Sequence, residues 1–280
     1  MVNYNEILTT EQQIDICNII KSSKYIHKDV TKYLKDNKLK HTSRSNGYIK
    51  NLIRFLLNKY NILEDCHINN YDNSTPLTQA EFDVIVGGLL GDTWIGKPKN
   101  GKNPCGSFTH KIEHYEYVNY KYKLLKRRCS EITIYNKHDK RSDRHYQQVF
   151  CKIAASSVLT EIYNKFYVNH VKVVPKDLIY KLSPLGIAIW FMDDGSSDSY
   201  GYKFSVDCFT ETEIDLLRQM LLDRFNIKTT KHINQNKTIH VISESAKDFK
   251  NLVEPYMCDC MKYKLQIYTV KNNHYVKIDI

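Results

Sequence analysis

The sequence predicts an α+β protein made of two related halves, each with an antiparallel sheet, behind a helical N-terminal extension. Three observations carry this expectation. Two helical runs, "QAEFDVIVGGLLGD" and "PLGIAIWFMDD", are apolar nearly all round and end at Asp92 and Asp194. Those aspartates lie 102 residues apart, and similar patterns follow each of them. Residues 1–76 have a different character, rich in short amphipathic helical patterns.

In the extension, "TTEQQIDICNIIKSSKY" opens with Thr10 as an N-cap, and "HKDVTKYLKDNKL" and "NGYIKNLIRFLLNKYNI" repeat apolar residues at helical spacing. Three short basic helices fit a helix-turn-helix module or, the preferred reading, an extension packed on the main domain. The polar stretch from Glu64 to Pro76 reads as a linker. The expected divisions are therefore 1–76, 77–173 and 174–280.

The first half opens on Thr78 with Glu81 three residues later, a capping-box spacing. The run from Phe82 to Leu90 is apolar on every face, so its helix is buried on most sides. It contains Gly87 and Gly88, with Gly91 just beyond, and an interior glycine costs roughly 1 kcal/mol relative to alanine. Gly87 and Gly91 share a face, where the missing Cβ atoms let another backbone approach closely. The second half repeats the design, with Ser183 as N-cap and Pro184 at the first helical position. The two helices are expected to pack side by side at a pseudo-twofold axis. Gly87, Gly88 and Gly91 on one, and Ile187, Trp190 and Phe191 on the other, form the expected interface.

After each aspartate come a glycine-containing loop and a Phe-Thr pair, Phe108-Thr109 and Phe209-Thr210. An amphipathic helix follows, then two alternating β-rich stretches and a further helix. These are "EITIYNK", "YQQVFCKIAA" and "SSVLTEIYNKFY" in one copy, "IKTTKHIN", "KTIHVIS" and "SAKDFKNLVEPYM" in the other. Each copy closes on a lysine, Lys172 and Lys264. The repeat reads as αββαββα.

Parallel helices would bring Asp92 and Asp194 together at their C-terminal ends, where the helix dipole already disfavours a carboxylate. A hard divalent cation with oxygen ligands relieves that repulsion. Mg²⁺, with Mn²⁺ as substitute, is the expected cofactor. Asp92 and Asp194 are its expected ligands, with Gly91 and Asp193 as their neighbours in the metal site. No nucleophilic serine or cysteine motif competes with this reading.

The chain has 280 residues, 42% hydrophobic and 26% charged, with a formal net charge of +10. That excess favours a polyanionic partner, nucleic acid before membrane. No stretch approaches 18 apolar residues, the start lacks an apolar leader, and the eight cysteines are scattered without a CxxC pair. The expectation is an intracellular protein with reduced thiols and no membrane partner. A basic protein with paired acids points to metal-assisted phosphodiester hydrolysis, with Lys172 and Lys264 steadying a water or the developing charge. Two equivalent sites suit two phosphodiesters on opposite strands of double-stranded DNA. The sheets would then lie in the major groove. Ser107, Thr109, Lys111, Lys203, Ser205, Asp207, Lys228, Lys231, His232, Asn234 and Lys237 are the candidate DNA contacts.

"VGGLLGDTWIG" and "AIWFMDDGS" resemble the two motifs of the LAGLIDADG homing endonucleases in their single-chain, double-motif form. "NHVKVVPKDL" and "MKYKL" are similar to the lysine-bearing segments of the yeast mitochondrial intron-encoded members. The similarity runs from about Leu77 to Leu265. It implies a monomer with a saddle of two sheets on DNA and Mg²⁺-dependent double-strand cleavage of a long asymmetric site. It also implies metal ligation by the last acidic residue of each motif, Asp92 and Asp194, and active-site lysines at Lys172 and Lys264. Asp193 matches the penultimate position, which implies a structural role. The first motif departs from the pattern at Leu90 and Thr93. Two other readings are an RNA intron maturase and a non-catalytic DNA-binding regulator, the latter expected to have lost its acidic ends. The compartment within the cell, whether organelle, nucleus or prokaryotic or viral host, is left open.

Overall fold

The computed structural model describes residues 7–22, 26–39, 46–60, 75–99, 101–139, 143–199, 201–271 and 274–278. The chain divides into two compact units, 1–70 and 71–280.

The first unit holds helices α1 (Thr10–Ser22), α2 (Ile26–Asp36) and α3 (Asn46–Lys59). Their apolar stripes meet in a core of their own, built on Ile16, Ile20, Val30, Leu34, Leu52 and Leu56. The polar side chain of Gln13 is also enclosed and donates to Leu8 O at 2.9 Å. Three helices are as expected, and the expected linker lies largely outside the described residues.

The second unit repeats one topology twice. First come α4 (Gln79–Leu90), β1 (Trp94–Gly96), β2 (Cys105–Lys111), α5 (Tyr115–Leu124), β3 (Thr133–Asp139), β4 (Arg144–Ile153) and α6 (Val158–Phe166). A short hairpin, β5 (Tyr167–Val168) and β6 (Val171–Lys172), and α7 (Lys176–Ile179) lead to the second copy. It holds α8 (Pro184–Asp194), β7 (Gly195–Asp198), β8 (Gly201–Ser205), α9 (Glu211–Phe225), β9 (Thr229–His232), β10 (Thr238–Val241) and α10 (Ser243–Val253). A 3-10 segment, Asp259–Leu265, carries Lys264, and a hairpin outside the repeat follows, β11 (Ile267–Lys271) and β12 (His274–Ile278). The two four-stranded sheets run β1-β2-β4-β3 and β7-β8-β10-β9, all antiparallel.

The register corrects one detail of the repeat. Trp94 pairs with Ser107 and Ser196 with Lys203, so Phe108 corresponds to Phe204. Phe209-Thr210 instead lies at the start of α9, with Thr210 as its N-cap. The sequence match followed two residue types through a loop of unequal length. Packing, which needs an aromatic beneath each second strand, aligns the phenylalanines differently.

The helix pair is the spine of this unit. Both starts are capped as expected: Thr78 and Glu81 form a full capping box, and Ser183 Oγ accepts from Leu185 N. A Cβ on Gly87 would lie 2.3 Å from Gly186 O, so the two backbones touch there. One on Gly91 would lie 2.5 Å from Asp193 Cβ. Gly88 has a different role from the expected one: its open side chiefly accommodates Thr93 Oγ1 of its own turn. Ile187 is buried. Trp190 and Phe191 are corrected too. Trp190 stacks on Phe204 at 4.0 Å, and Phe191 packs edge-on against Phe249 at 5.1 Å, so both fill the core of the second half. A helix apolar all round has one face for its partner and another for its own sheet, and composition does not distinguish them.

Among the described residues no helix is long and apolar enough to cross a membrane, and no disulfide joins the described cysteines.

Candidate active site

Both ends of the helix pair are locked by an aspartate from the opposite helix. At the start, Asp83 of α4 accepts from Ser183 N at 2.9 Å and Ser183 Oγ at 2.5 Å. At the far end, Asp193 Oδ2 accepts from Asp92 N at 3.2 Å. Start meets start and end meets end, so the helices run parallel and their terminal carboxylates converge.

Asp92 and Asp194 face each other electrostatically. The Asp194 carboxyl is pushed up to about 7 by burial and then by the charges of Asp92 and Asp193. Asp92 is also raised, by desolvation and by Asp193, with Lys121, Lys264 and Lys172 opposing the shift. Among the described residues neither carboxylate has a lysine or arginine within ion-pair distance; His110 Nδ1 lies 3.7 Å from Asp92 Oδ2.

The two closing lysines reach the same centre. Lys264 Nζ donates to Met192 O at 2.6 Å and Asp193 O at 3.1 Å. Lys172 Nζ lies 3.5 Å from Gly91 O. Each ammonium therefore sits on the last carbonyls of the motif helix of its own half and offsets the negative end of that helix dipole. Both are half-buried. Burial lowers their pKa values, and the aspartates counteract it.

Asp193 is occupied by the protein. Its Oδ1 accepts from Tyr117 OH at 2.7 Å and from Lys121 Nζ at 2.9 Å, all within the core. A buried ion pair of this kind holds only because hydrogen bonds satisfy the remaining atoms. Gly91 makes the space for it. In the repeat Gly91 stands where the second half has Asp193, so this network exists on one side only. Sequence reasoning missed Tyr117 and Lys121. The signal was a lysine four residues after a tyrosine on the face of α5 that also carries Val118.

His110 was missed as well. It is buried on β2, its Nε2 lies 3.7 Å from Asp193 Oδ1, and that nitrogen has no hydrogen-bond partner. Burial and the neighbouring Lys121 push its imidazole down to about 3. Ligand atoms of Asp92, His110 and Asp193 all lie within 4.8 Å of one another. A cleft of about 630 Å³ opens beside them, lined by Asp92, Thr109, His110, Lys111, His114 and Tyr263.

Strand alternation sorts the candidate DNA contacts. Ser107, Thr109 and Lys111 share the less buried face of β2. Register adds Lys152 and Gln148 of β4 and Tyr135 and Lys137 of β3 to that face, with exposed Trp94 beside Ser107. In the second sheet Lys203 and Ser205 alternate with buried Tyr202 and Phe204, and exposed His232 stacks on His240 at 4.2 Å. Asn234 is exposed in the β9–β10 turn.

Four of the expected contacts are engaged elsewhere. Lys231 faces α9, where it pairs with Glu211 at 2.7 Å and Asp215 at 2.5 Å. Lys237 Nζ donates to Phe209 O at 2.7 Å. Asp207 accepts from Lys237 N at 2.6 Å and so closes a turn. Lys228 lies before β9 and approaches Glu244 at 3.7 Å. The face a strand residue takes depends on register, and a shift of one residue reverses it.

Two antiparallel sheets above a parallel helix pair that ends in converging carboxylates define a two-motif α+β protein with an acidic centre on its pseudo-twofold axis. The chain belongs to the LAGLIDADG DNA endonuclease family, whose family model matches residues 82–251. It is 30% identical to the cytochrome b mRNA maturase bI2 of Debaryomyces hansenii over 230 residues, 79% of this chain and 84% of that protein. It is 27% identical to the DNA endonuclease I-ChuI of Chlamydomonas applanata over 208 residues, 68% of this chain and 95% of that one. The solved structure of the homing endonuclease I-WcaI bound to its DNA recognition sequence superposes with a TM-score of 0.66, covering 83% of this chain and 98% of that one, at 22% identity. The fold is the expected one.

Proposed function

We propose that this protein is a site-specific DNA endonuclease that hydrolyses one phosphodiester on each strand of a long, asymmetric duplex target. The observation that carries the reading is the half-buried pair Asp92 and Asp194: burial raises both carboxyl pKa values, the Asp92 charge raises that of Asp194 further, and among the described residues neither has a lysine or arginine ion-pair partner. Such a pair fits a hard divalent cation, Mg²⁺ or in its place Mn²⁺, with Asp92 and Asp194 as ligands. When bound, the cation supplies positive charge to the phosphate and acidifies a water. Asp193 sits behind this centre as a brace, since Tyr117, Lys121 and the Asp92 amide already occupy its oxygens.

The protein's own groups do the rest. Lys172 and Lys264 hold positive charge beside the carboxylates and orient toward a phosphate oxygen or the attacking water. The sheet faces carrying Ser107, Thr109, Lys111, Lys203, Ser205 and His232 lie along the duplex, with Asn234 at one edge. One chain contains both sites, so a monomer suffices. The family membership and the relatives' descriptions support this reading.

A second reading, intron maturase, is favoured by the 30% identity to the bI2 maturase. It needs the basic surface but not the acids. A regulator that has lost cleavage fits less well, because both acids are present.

The deciding experiment incubates the protein with its uninterrupted gene-insertion junction on a plasmid and Mg²⁺. Linear product is expected, and Asp92→Asn or Asp194→Asn should abolish it while duplex binding persists. Binding without any cleavage by the wild-type chain would overturn the nuclease reading. Splicing of the host intron only in the presence of protein would establish the maturase.

A further inference from the structure

We propose that the tip of the β3–β4 hairpin is a binding site for a zinc-class transition cation, held by His138, His145 and Asp143 away from the acidic centre. β3 is exposed at every position before Asp139, so out to its Asp139 end this arm is held by its ladder with β4 and not by core packing. At that end the register sets His138 directly opposite His145. Their rings stack in parallel, 4.2 Å between centroids and 1° between planes. Asp143 adopts a left-handed backbone conformation, φ 50°, and its Oδ1 lies 2.7 Å from His138 Nε2.

One ligand atom from each of the three residues falls within 4.8 Å of the others. Zinc bonds of about 2.0–2.2 Å require donors somewhat closer than that. The side chains are exposed and can rotate inward without disturbing the core. Two imidazole nitrogens and one carboxylate oxygen form a set that suits Zn²⁺, Cu²⁺ or Ni²⁺, whereas Mg²⁺ prefers oxygen throughout. The tip therefore binds its cation without competing for the Mg²⁺ of the acidic pair.

Alternation also determines the consequence. His138 and His145 point away from the face shared by Lys137, Tyr146, Gln148 and Lys111, so under the DNA-binding reading the duplex leaves them free. A cation bridging the strands there would fix the arm that presents Lys137 and Tyr146, replacing the packing the arm lacks.

The test titrates the full chain with Zn²⁺ against a chromogenic chelator, in millimolar Mg²⁺. The proteins compared are wild type, His145→Gln, Asp143→Asn and, as a control for the thiol pair Cys258–Cys260, Cys260→Ser. Wild type is expected to hold one equivalent more than His145→Gln, and Asp143→Asn to weaken that equivalent by about tenfold or more. Cys260→Ser should retain it. Co²⁺ in the same position should show imidazole ligation without thiolate charge transfer. His145 and Asp143 are exposed, so His145→Gln and Asp143→Asn should keep the wild-type thermal transition measured without metal, and the half-buried Cys260→Ser variant is compared at a temperature where its own transition shows it folded. Equal stoichiometry in wild type and His145→Gln, or loss of the equivalent in Cys260→Ser, would overturn the proposal.

Discussion

Asp194 shows what the acidic centre does to a single residue. Its carboxyl titrates near 7 in the folded chain, against about 4 for an unfolded aspartate. The folded state therefore holds the proton more tightly. Between those two values stability falls as pH rises, and the full penalty is present above pH 7. Without metal, Asp194→Asn should raise the melting temperature at pH 8 and leave it almost unchanged at pH 4. Thermal denaturation in EDTA at the two pH values checks this, and an equal shift at both would contradict it. His110 is the other residue whose position has a consequence. It occurs in the first half only, since Val206 takes the corresponding place on the second sheet in the register that equates Ser107 with Lys203. His110→Val should slow hydrolysis of one strand selectively. Nicked circles would then accumulate on a plasmid target, while equal slowing of both strands would rule out the asymmetry.

At the scale of elements, the helix pair and the strand faces make separate demands. The contact of Gly87 with Gly186 O leaves no room for a methyl group, and backbone atoms cannot turn aside as a side chain can. Gly87→Ala should destabilise the chain by about 1–3 kcal/mol, read from the urea midpoint at unchanged slope. On the second sheet, Lys203 is free to meet a phosphate while Lys231 is tied to Glu211 and Asp215. Lys203→Ala should reduce the dependence of DNA affinity on salt by about one counterion, and Lys231→Ala should leave it unchanged. Fluorescence anisotropy over a range of salt concentrations distinguishes the two. This pair also marks the limit of the sequence. The strand holding Lys231 was legible from its alternation, whereas the segment holding Lys203 read as part of a glycine-containing loop, and the loop lengths that set the register, which decides which lysine faces outward, were not legible at all.

Across the whole molecule, what could be read from the sequence was whatever is periodic or local. The repeat, both apolar helices, their caps, the two terminal aspartates and the closing lysines all follow from spacing and residue type in one strand of text. The net charge of +10 gave the class of partner by the same route. Three-dimensional packing alone decided the rest. It turned Trp190 and Phe191 toward the second sheet, placed Gly91 to admit Asp193, and buried Lys121 and Tyr117 around that carboxylate. It also brought His110 to the edge of Asp92 from a strand 18 residues further on. The sequence alone determined which residues carry charge and where each helix ends, because caps and periodicity act over a few neighbouring residues. Partners across the pseudo-twofold axis lie up to about a hundred residues apart, and only the close approach of two helix backbones brings them into contact.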